Sequence, residues 1–138
     1  MSTKILALDV GGVRIGVAMA DAELKFANPL TTLINDDAIW DALVALIQEN
    51  DVQTVVVGLP RSLQGHETPQ TQICRDFAES LPERLEMPQM KIVLQDEAAT
   101  SVKAEAELRA RGKSYEKADI DALAATYILE DYLIGEHA

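Results

Sequence analysis

Positive charge is in short supply in this chain. Lys and Arg together number 12 against 23 Asp and Glu, for a net charge of −11. That balance argues against a broad basic face of the kind that grips nucleic acid by its phosphates. An anion-binding surface would have to be local, or be completed by a cation that acidic side chains recruit. Cysteine is almost absent: Cys74 stands alone, so it forms no internal disulfide, suits a reducing cytoplasm, and reads as a small core residue and not a nucleophile. Histidine is nearly as rare. His137 is penultimate and reads as tail, and His66 falls in a polar loop where a solvated role is expected over proton shuttling. No apolar run approaches the roughly 20 residues that span a bilayer. The N-terminus, with one Lys and no long apolar stretch, does not read as a signal peptide, so no membrane partner is expected.

What the chain does have is a core. Its 138 residues are 48% hydrophobic, which predicts one domain over residues 1–138. Ile5–Val10 is apolar at consecutive positions, as in a strand buried on both faces. Gly11-Gly12 then predicts a hairpin into a second strand, Arg14–Ala20. A third strand is expected over Phe26–Ile34, its start disturbed by Asn28-Pro29. Asp36–Gln48 shifts to helical spacing (Ile39, Leu43, Leu46, Ile47), with Asp36 or Asp37 as N-cap. Trp40 and Leu43 read as core. Thr54–Val57 is a short β-branched strand, expected to open into a loop at Gly58-Leu59-Pro60. Thr68–Leu81 reads as a helix carrying Ile73, Phe77 and Leu81, with Pro82 and Pro88 bracketing its end or a short continuation. A strand over Lys91–Leu94 leads to Asp96-Glu97. Thr100 or Ser101 can cap a helix that reaches Arg111 and stops at Gly112. The last helix is expected over Ala118–Leu133, with Asp119 as its cap and Gly135 just beyond it. The order β-β-β-α-β-α-β-α-α calls for an α/β fold with a mixed sheet and helices on its faces.

Three carboxylates stand out against this frame. Asp9 ends a buried strand, an expensive place for a charge without a partner. Glu97 lies just past the end of the fifth strand, while Asp96, by alternation, faces the other way. If the first and fifth strands are parallel and close, both acids open onto the same sheet edge, where sites form in open α/β sheets. Asp121 begins a small, apolar stripe (Ala124, Ala125, Ile128) that should pack on the sheet. Each acid alone could be a loop or helix cap; their convergence predicts a hard oxygen site suited to Mg²⁺ or Mn²⁺ and not Zn²⁺. Two such ions about 4 Å apart can hydrolyse a phosphodiester. Basic residues cluster too: Lys103, Arg109, Arg111, Lys113 and Lys117 put 5 of the 12 into 15 positions, either as a solvated helix end or as phosphate contacts.

The residues also resemble a known family. Asp9-Val10-Gly11 followed by Arg14-Ile15-Gly16-Val17-Ala18, then Val56-Val57-Gly58-Leu59-Pro60 with Gly65, Asp96-Glu97, and Asp121 with Ala124-Ala125 and Ile128-Leu129 are similar, in order, to the motifs of the YqgF/RuvX proteins. These are the Holliday-junction-resolvase-like or pre-16S rRNA nucleases of bacteria. The resemblance implies an RNase H-like fold with a five-stranded mixed sheet, and a divalent-metal nuclease whose acids correspond to Asp9, Glu97 and Asp121. The chain departs from the pattern at Ala98, where the family usually has Arg, and Thr100-Ser101 fill the pair that follows.

The expectation is therefore a cytoplasmic, Mg²⁺- or Mn²⁺-dependent endonuclease for structured nucleic acid, either pre-rRNA or branched DNA. Arg14, Arg61, Lys103, Arg109, Arg111 and Lys113 are the expected nucleic-acid contacts, and a homodimer is what junction cleavage would call for. Two other readings compete. One is a nucleotide-binding domain of the actin/hexokinase type, which also opens with an Asp-x-Gly strand but needs two such domains. The other is a non-catalytic member that binds RNA or protein on the same scaffold.

Overall fold

A computed structural model describes residues 3–97 and 100–136. The elements run β1 (Lys4–Val10), β2 (Arg14–Asp21), β3 (Ala27–Ile34), α1 (Ile39–Glu49), β4 (Val52–Pro60), α2 (Pro69–Arg84), β5 (Lys91–Glu97), α3 (Thr100–Ala110) and α4 (Lys117–Glu136). The strands form one sheet in the order β3-β2-β1-β4-β5. β1–β2 and β2–β3 are antiparallel, while β1–β4 and β4–β5 are parallel. The expected element order and mixed sheet are thus observed, and β1 and β5 lie one strand apart.

Strand alternation sorts the core into two layers. Leu6, Leu8, Val10, Ile15 and Val17 pack with α1 and α2 through Ile39, Leu43, Cys74, Ala78 and Leu81. The opposite face is paved with small residues, Ala7, Ala18 and Ala20, and receives α4 through Ala125, Ile128 and Leu129. α3 rests on the outer side of α4 through Ala104, Leu123, Ala124 and Tyr127. Asp9 continues the Ile5–Ala7 alternation, and Arg14 and Gly16 continue that of Ala18 and Ala20, so all three face α4. Trp40 packs on the core as expected, stacked on Phe77 with ring centroids 5.2 Å apart.

Several boundaries differ from the sequence expectations, each for a local reason. β4 does not stop at Val57: Gly58, Leu59 and Pro60 still pair with Gln95, Asp96 and Glu97 of β5, and Leu59 is buried. Pro60 is tolerated because it is the strand's last residue. β5 likewise includes Asp96 and Glu97. Neither Asp36 nor Asp37 caps α1; its N-cap is Ala38, whose N–H is taken by Asp36 Oδ1 at 3.0 Å. α2 takes the short continuation through Pro82 to Arg84; what differs is its buried stripe, Thr71, Cys74, Ala78 and Leu81, which leaves Ile73 exposed. Its start is the capping box of Thr68 and Thr71. Asp119 is not the N-cap of α4 but lies in its first turn, where its Oδ2 accepts from the Glu116 N–H at 2.8 Å. Gly135 lies inside α4 and not past it. α3 begins at Thr100, so Ser101 is inside the helix; Ala98 and His137 lie outside the described residues.

Close packing of α4 also depends on Gly58. A Cβ there would sit 2.5 Å from Ile128 Cδ1 and 3.2 Å from its Cγ1. Gly58→Ala should destabilise the fold by about 1–3 kcal/mol through overpacking, and Ile128→Val, which deletes Cδ1, should restore part of it. In urea denaturation the double mutant should lose less than the sum of the singles by at least roughly 0.5 kcal/mol; strict additivity would refute the contact.

Candidate active site

The three predicted carboxylates arrive at one edge of the sheet by different routes. Asp9 is the penultimate residue of β1, directly across from Gly16 on β2. Asp121 lies in the second turn of α4, whose backbone there runs over Gly16: a Cβ on Gly16 would fall 1.9 Å from the Asp121 carbonyl oxygen. Glu97 ends β5 and lies beyond β4 from Asp9. Arg14 comes with them, its Nε donating to Asp121 Oδ2 at 2.5 Å.

The electrostatics fit a site short of cations. Burial pushes the Asp9 carboxyl up to about 6, and the Asp121 charge adds to the shift. Glu97 is pushed up further, to about 8, first by burial and then by the neighbouring Asp131, to which it can hydrogen-bond only while protonated. Repulsion from Asp131 and Asp9 adds to this, and the charge of Lys103 opposes it. Glu97 Oε1 is buried with no hydrogen-bond partner. Buried carboxylates with raised titration points, one of whose oxygens has no hydrogen-bond partner, are a donor set that suits a hard divalent ion. In chemistry, therefore, Asp9, Glu97 and Asp121 fit Mg²⁺ or Mn²⁺. As the side chains stand, no three His, Cys, Asp or Glu among the described residues are gathered closely enough to hold an ion, and Asp121 is engaged by Arg14.

The predicted cations divide. Arg14 is at the site. Lys103 stands near it, its Nζ 4.3 Å from the centre of the Tyr127 ring and its charge felt by Glu97. Arg61, at the exit of β4, binds Asp96 at 3.1 Å and Glu67 at 3.7 Å, and its backbone N–H donates to the Glu97 carbonyl at 3.0 Å. It lines a cleft of about 730 Å³ with Ser62, Leu63, Asp96, Glu97 and Asp131. Arg109 and Arg111 are not brought to the carboxylates: each pairs with the glutamate four residues earlier on α3, Glu105 and Glu107. Lys113 lines a separate groove with Pro29, Ser114 and Tyr115. His66 is exposed on its loop, and Cys74 is buried with its thiol raised to about 11, mainly by burial; both match expectation. Asp131 was not foreseen. Its signal was present, because the Asp121, Ala124, Ile128 stripe reaches Asp131 with one more step of three.

The chain is similar to known proteins over nearly all its length. The RuvX family, described as Holliday junction resolvase, matches residues 3–134. A protein of Chloroflexus aurantiacus named "Putative pre-16S rRNA nuclease" is 44% identical over 133 residues, covering 94% of this chain and 85% of the relative. One of the same name from Haemophilus ducreyi is 38% identical over 136 residues, covering 96% of each. Among solved structures, the chain resembles Thermus thermophilus RuvC in complex with Holliday junction substrate, with a TM-score of 0.57 at 14% identity, covering 98% of this chain and 96% of the other. A second T. thermophilus RuvC structure gives 0.53 at 12% identity with the same coverage. At such identities the likeness shows the fold alone, an RNase H-like one.

The raised carboxyls have a consequence for stability. Free Asp and Glu titrate near 3.8 and 4.5, whereas here the folded values are about 6 and 8. The folded state therefore binds more protons than the unfolded one, and stability falls as pH rises through this window. Without divalent ions the melting temperature should decline between about pH 4.5 and pH 8. Glu97→Gln should flatten the decline above about pH 6. Mn²⁺ should offset the decline, since binding requires the deprotonated acids. A melting temperature that rises across this range without metal would contradict the assignment.

Proposed function

The chain belongs to the RuvX family, and from that premise we propose that it is a divalent-metal-dependent endonuclease for structured nucleic acid, acting at the 5′ end of a 16S rRNA precursor or on four-way DNA. The observation that supports this reading is the placement of Asp9 directly across from Gly16, with the Asp121 backbone over that glycine, and with Glu97 one strand away and one of its oxygens unpartnered. The reaction adds water across a phosphodiester P–O bond. Asp9, Glu97 and Asp121 would hold Mg²⁺ or Mn²⁺. When bound, such ions supply positive charge at the phosphoryl oxygens and make water a stronger acid.

The chain's own residues do the remainder. Arg14, whose Nε donates to Asp121, carries a forked cation that would contact a phosphate beside the carboxylates. Lys103 offers a second positive charge beside Glu97, and its stacking on Tyr127 limits where that charge can go. Arg61 flanks the cleft on the far side, tied to Asp96. These three, and not Arg109 on α3 and Arg111 just past it, are the phosphate contacts we assign near the site; Lys113 would meet nucleic acid only beyond it. No helix among the described residues is long and apolar enough to cross a membrane. Ala98 stands where the family usually has Arg, and Arg14 supplies a guanidinium that pairs with Asp121.

The test is cleavage of a 5′-extended rRNA precursor and of a four-way DNA junction with Mn²⁺, Mg²⁺ or EDTA. Wild-type protein should cut with either ion and not with EDTA. Asp9→Asn, which keeps the shape and removes a ligand, should lose more than the roughly 100-fold typical of an outer-shell partner while keeping its fold. Metal-dependent cutting that survives in Asp9→Asn would refute the site. Ion binding without cutting of either substrate would favour the non-catalytic reading.

A second prediction concerns salt. With three assigned phosphate contacts, log affinity for duplex should fall against log salt with a slope of roughly −3, about −0.9 per contact. A slope near −5 would mean that Arg109, Arg111 and Lys113 bind as well.

A further inference from the structure

We propose that Gly16 and Thr32 are positioning residues of this site: together they seat the first turns of α4 so that the Asp121 carboxylate stands beside Asp9. The inference rests on the reading of Asp9 and Asp121 as ligands. Its basis is the sheet register. Asp9 on β1 pairs with Gly16 on β2, and Gly16 pairs with Thr32 on β3, so the three form one row across three strands. The start of α4 lies along that row. Thr32 Oγ1 donates to the Ala118 carbonyl at 2.6 Å. One turn later the helix backbone passes over Gly16, where a Cβ would meet Asp121 O at 1.9 Å, Asp121 C at 2.3 Å and Ala122 N at 2.9 Å.

Those three atoms are backbone, so no side-chain rotation can make room; a methyl group at position 16 must move the helix. Gly58 also faces α4, but a Cβ there meets the tip of the Ile128 side chain, which can give way. Gly16 is therefore a point where helix and sheet approach main chain to main chain, and the residue at that point of the helix is Asp121 itself. A seat needed only for stability could lie anywhere along the seam. This one lies in register with Asp9, and the side chain it fixes is held by Arg14 from the same strand.

The test uses the full chain with three substitutions: Gly16→Ala, Thr32→Val and, as control, Ala20→Val. Ala20 faces α4 from β2, in register with Ile5 and Ala27, away from the Asp9 row. All three should lower the melting temperature. In calorimetric titration with Mn²⁺ alone, Gly16→Ala and Thr32→Val should bind about 10- to 100-fold more weakly than wild type, while Ala20→Val should bind as wild type does. On a substrate the wild type cuts, the first two should lower kcat with KM unchanged. If Gly16→Ala does not fold, Thr32→Val and the control decide. Wild-type affinity in either seat variant, or an equal loss in Ala20→Val, overturns the proposal. Crystal structures of wild type and Thr32→Val decide the placement without metal: displacement of the Asp121 carboxylate from Asp9 by about 1 Å or more supports the seat, and an unmoved carboxylate overturns it. Failure of the wild type itself to bind Mn²⁺ would instead count against the ligand reading, leaving the crystallographic result to judge the seat.

Discussion

The contact between the α4 backbone and Gly16 is the constraint on which the rest of the molecule depends. Helix α4 crosses the sheet over β3, β2 and β1. The strand residues beneath it are mostly small, among them Ala7, Ala18, Ala20 and Gly58, while the helix itself presents Ala125 followed by Ile128, Leu129, Tyr132 and Leu133. Small strand residues let the helix axis approach closely, at the expense of the apolar area that Leu or Phe at those strand positions would bury. The bulk of the core lies on the other face, where α1 and α2 bring Ile39, Leu43 and Leu81 against Leu6, Leu8 and Val57. One face of the sheet therefore supplies most of the apolar burial, and the other trades bulk for proximity. That trade brings a helix-borne carboxylate to a strand-borne one.

Crowded carboxylates must be neutralised by something. Burial first, and neighbouring acids after it, raise Asp9 to about 6 and Glu97 to about 8, while Asp121 pairs with Arg14. These are the responses expected of buried acids kept close without a metal. They also place Arg14 and the bound protons in competition with any divalent ion, so ion binding, proton release and the freeing of Arg14 are linked steps. The strongly acidic composition is less of an obstacle to a nucleic-acid partner once the cations near the site are counted locally. Arg14 and Lys103 face the carboxylates, whereas Arg109 and Arg111 spend their charge on Glu105 and Glu107.

Much of this was legible in the sequence. The hairpin, the mixed sheet and the helix on which Asp121 sits follow from apolar periodicity and Gly11-Gly12, signals that act over a few residues. Where local chemistry and tertiary pairing conflict, pairing wins. Gly58-Leu59-Pro60 has the composition of a turn yet continues β4, because β5 supplies hydrogen-bonding partners that the sequence around it does not announce. Ile73 fits a helical apolar stripe, but α2 turns Cys74 and Ala78 to the sheet because the interface there wants small groups. The acids Asp9, Glu97 and Asp121 could be found one at a time from their positions at strand ends and on a helix stripe. Their supports could not: Gly16 and Thr32 matter through contacts with residues about a hundred positions away, and Asp131 through a strand end it meets only after folding.

The most direct test of the account is anomalous diffraction from crystals of the protein soaked in Mn²⁺. The account predicts a peak bounded by the carboxylates of Asp9, Asp121 and Glu97, with Arg14 withdrawn from Asp121. A fully soaked crystal with no peak among these three, and Arg14 still bonded to Asp121, would contradict it.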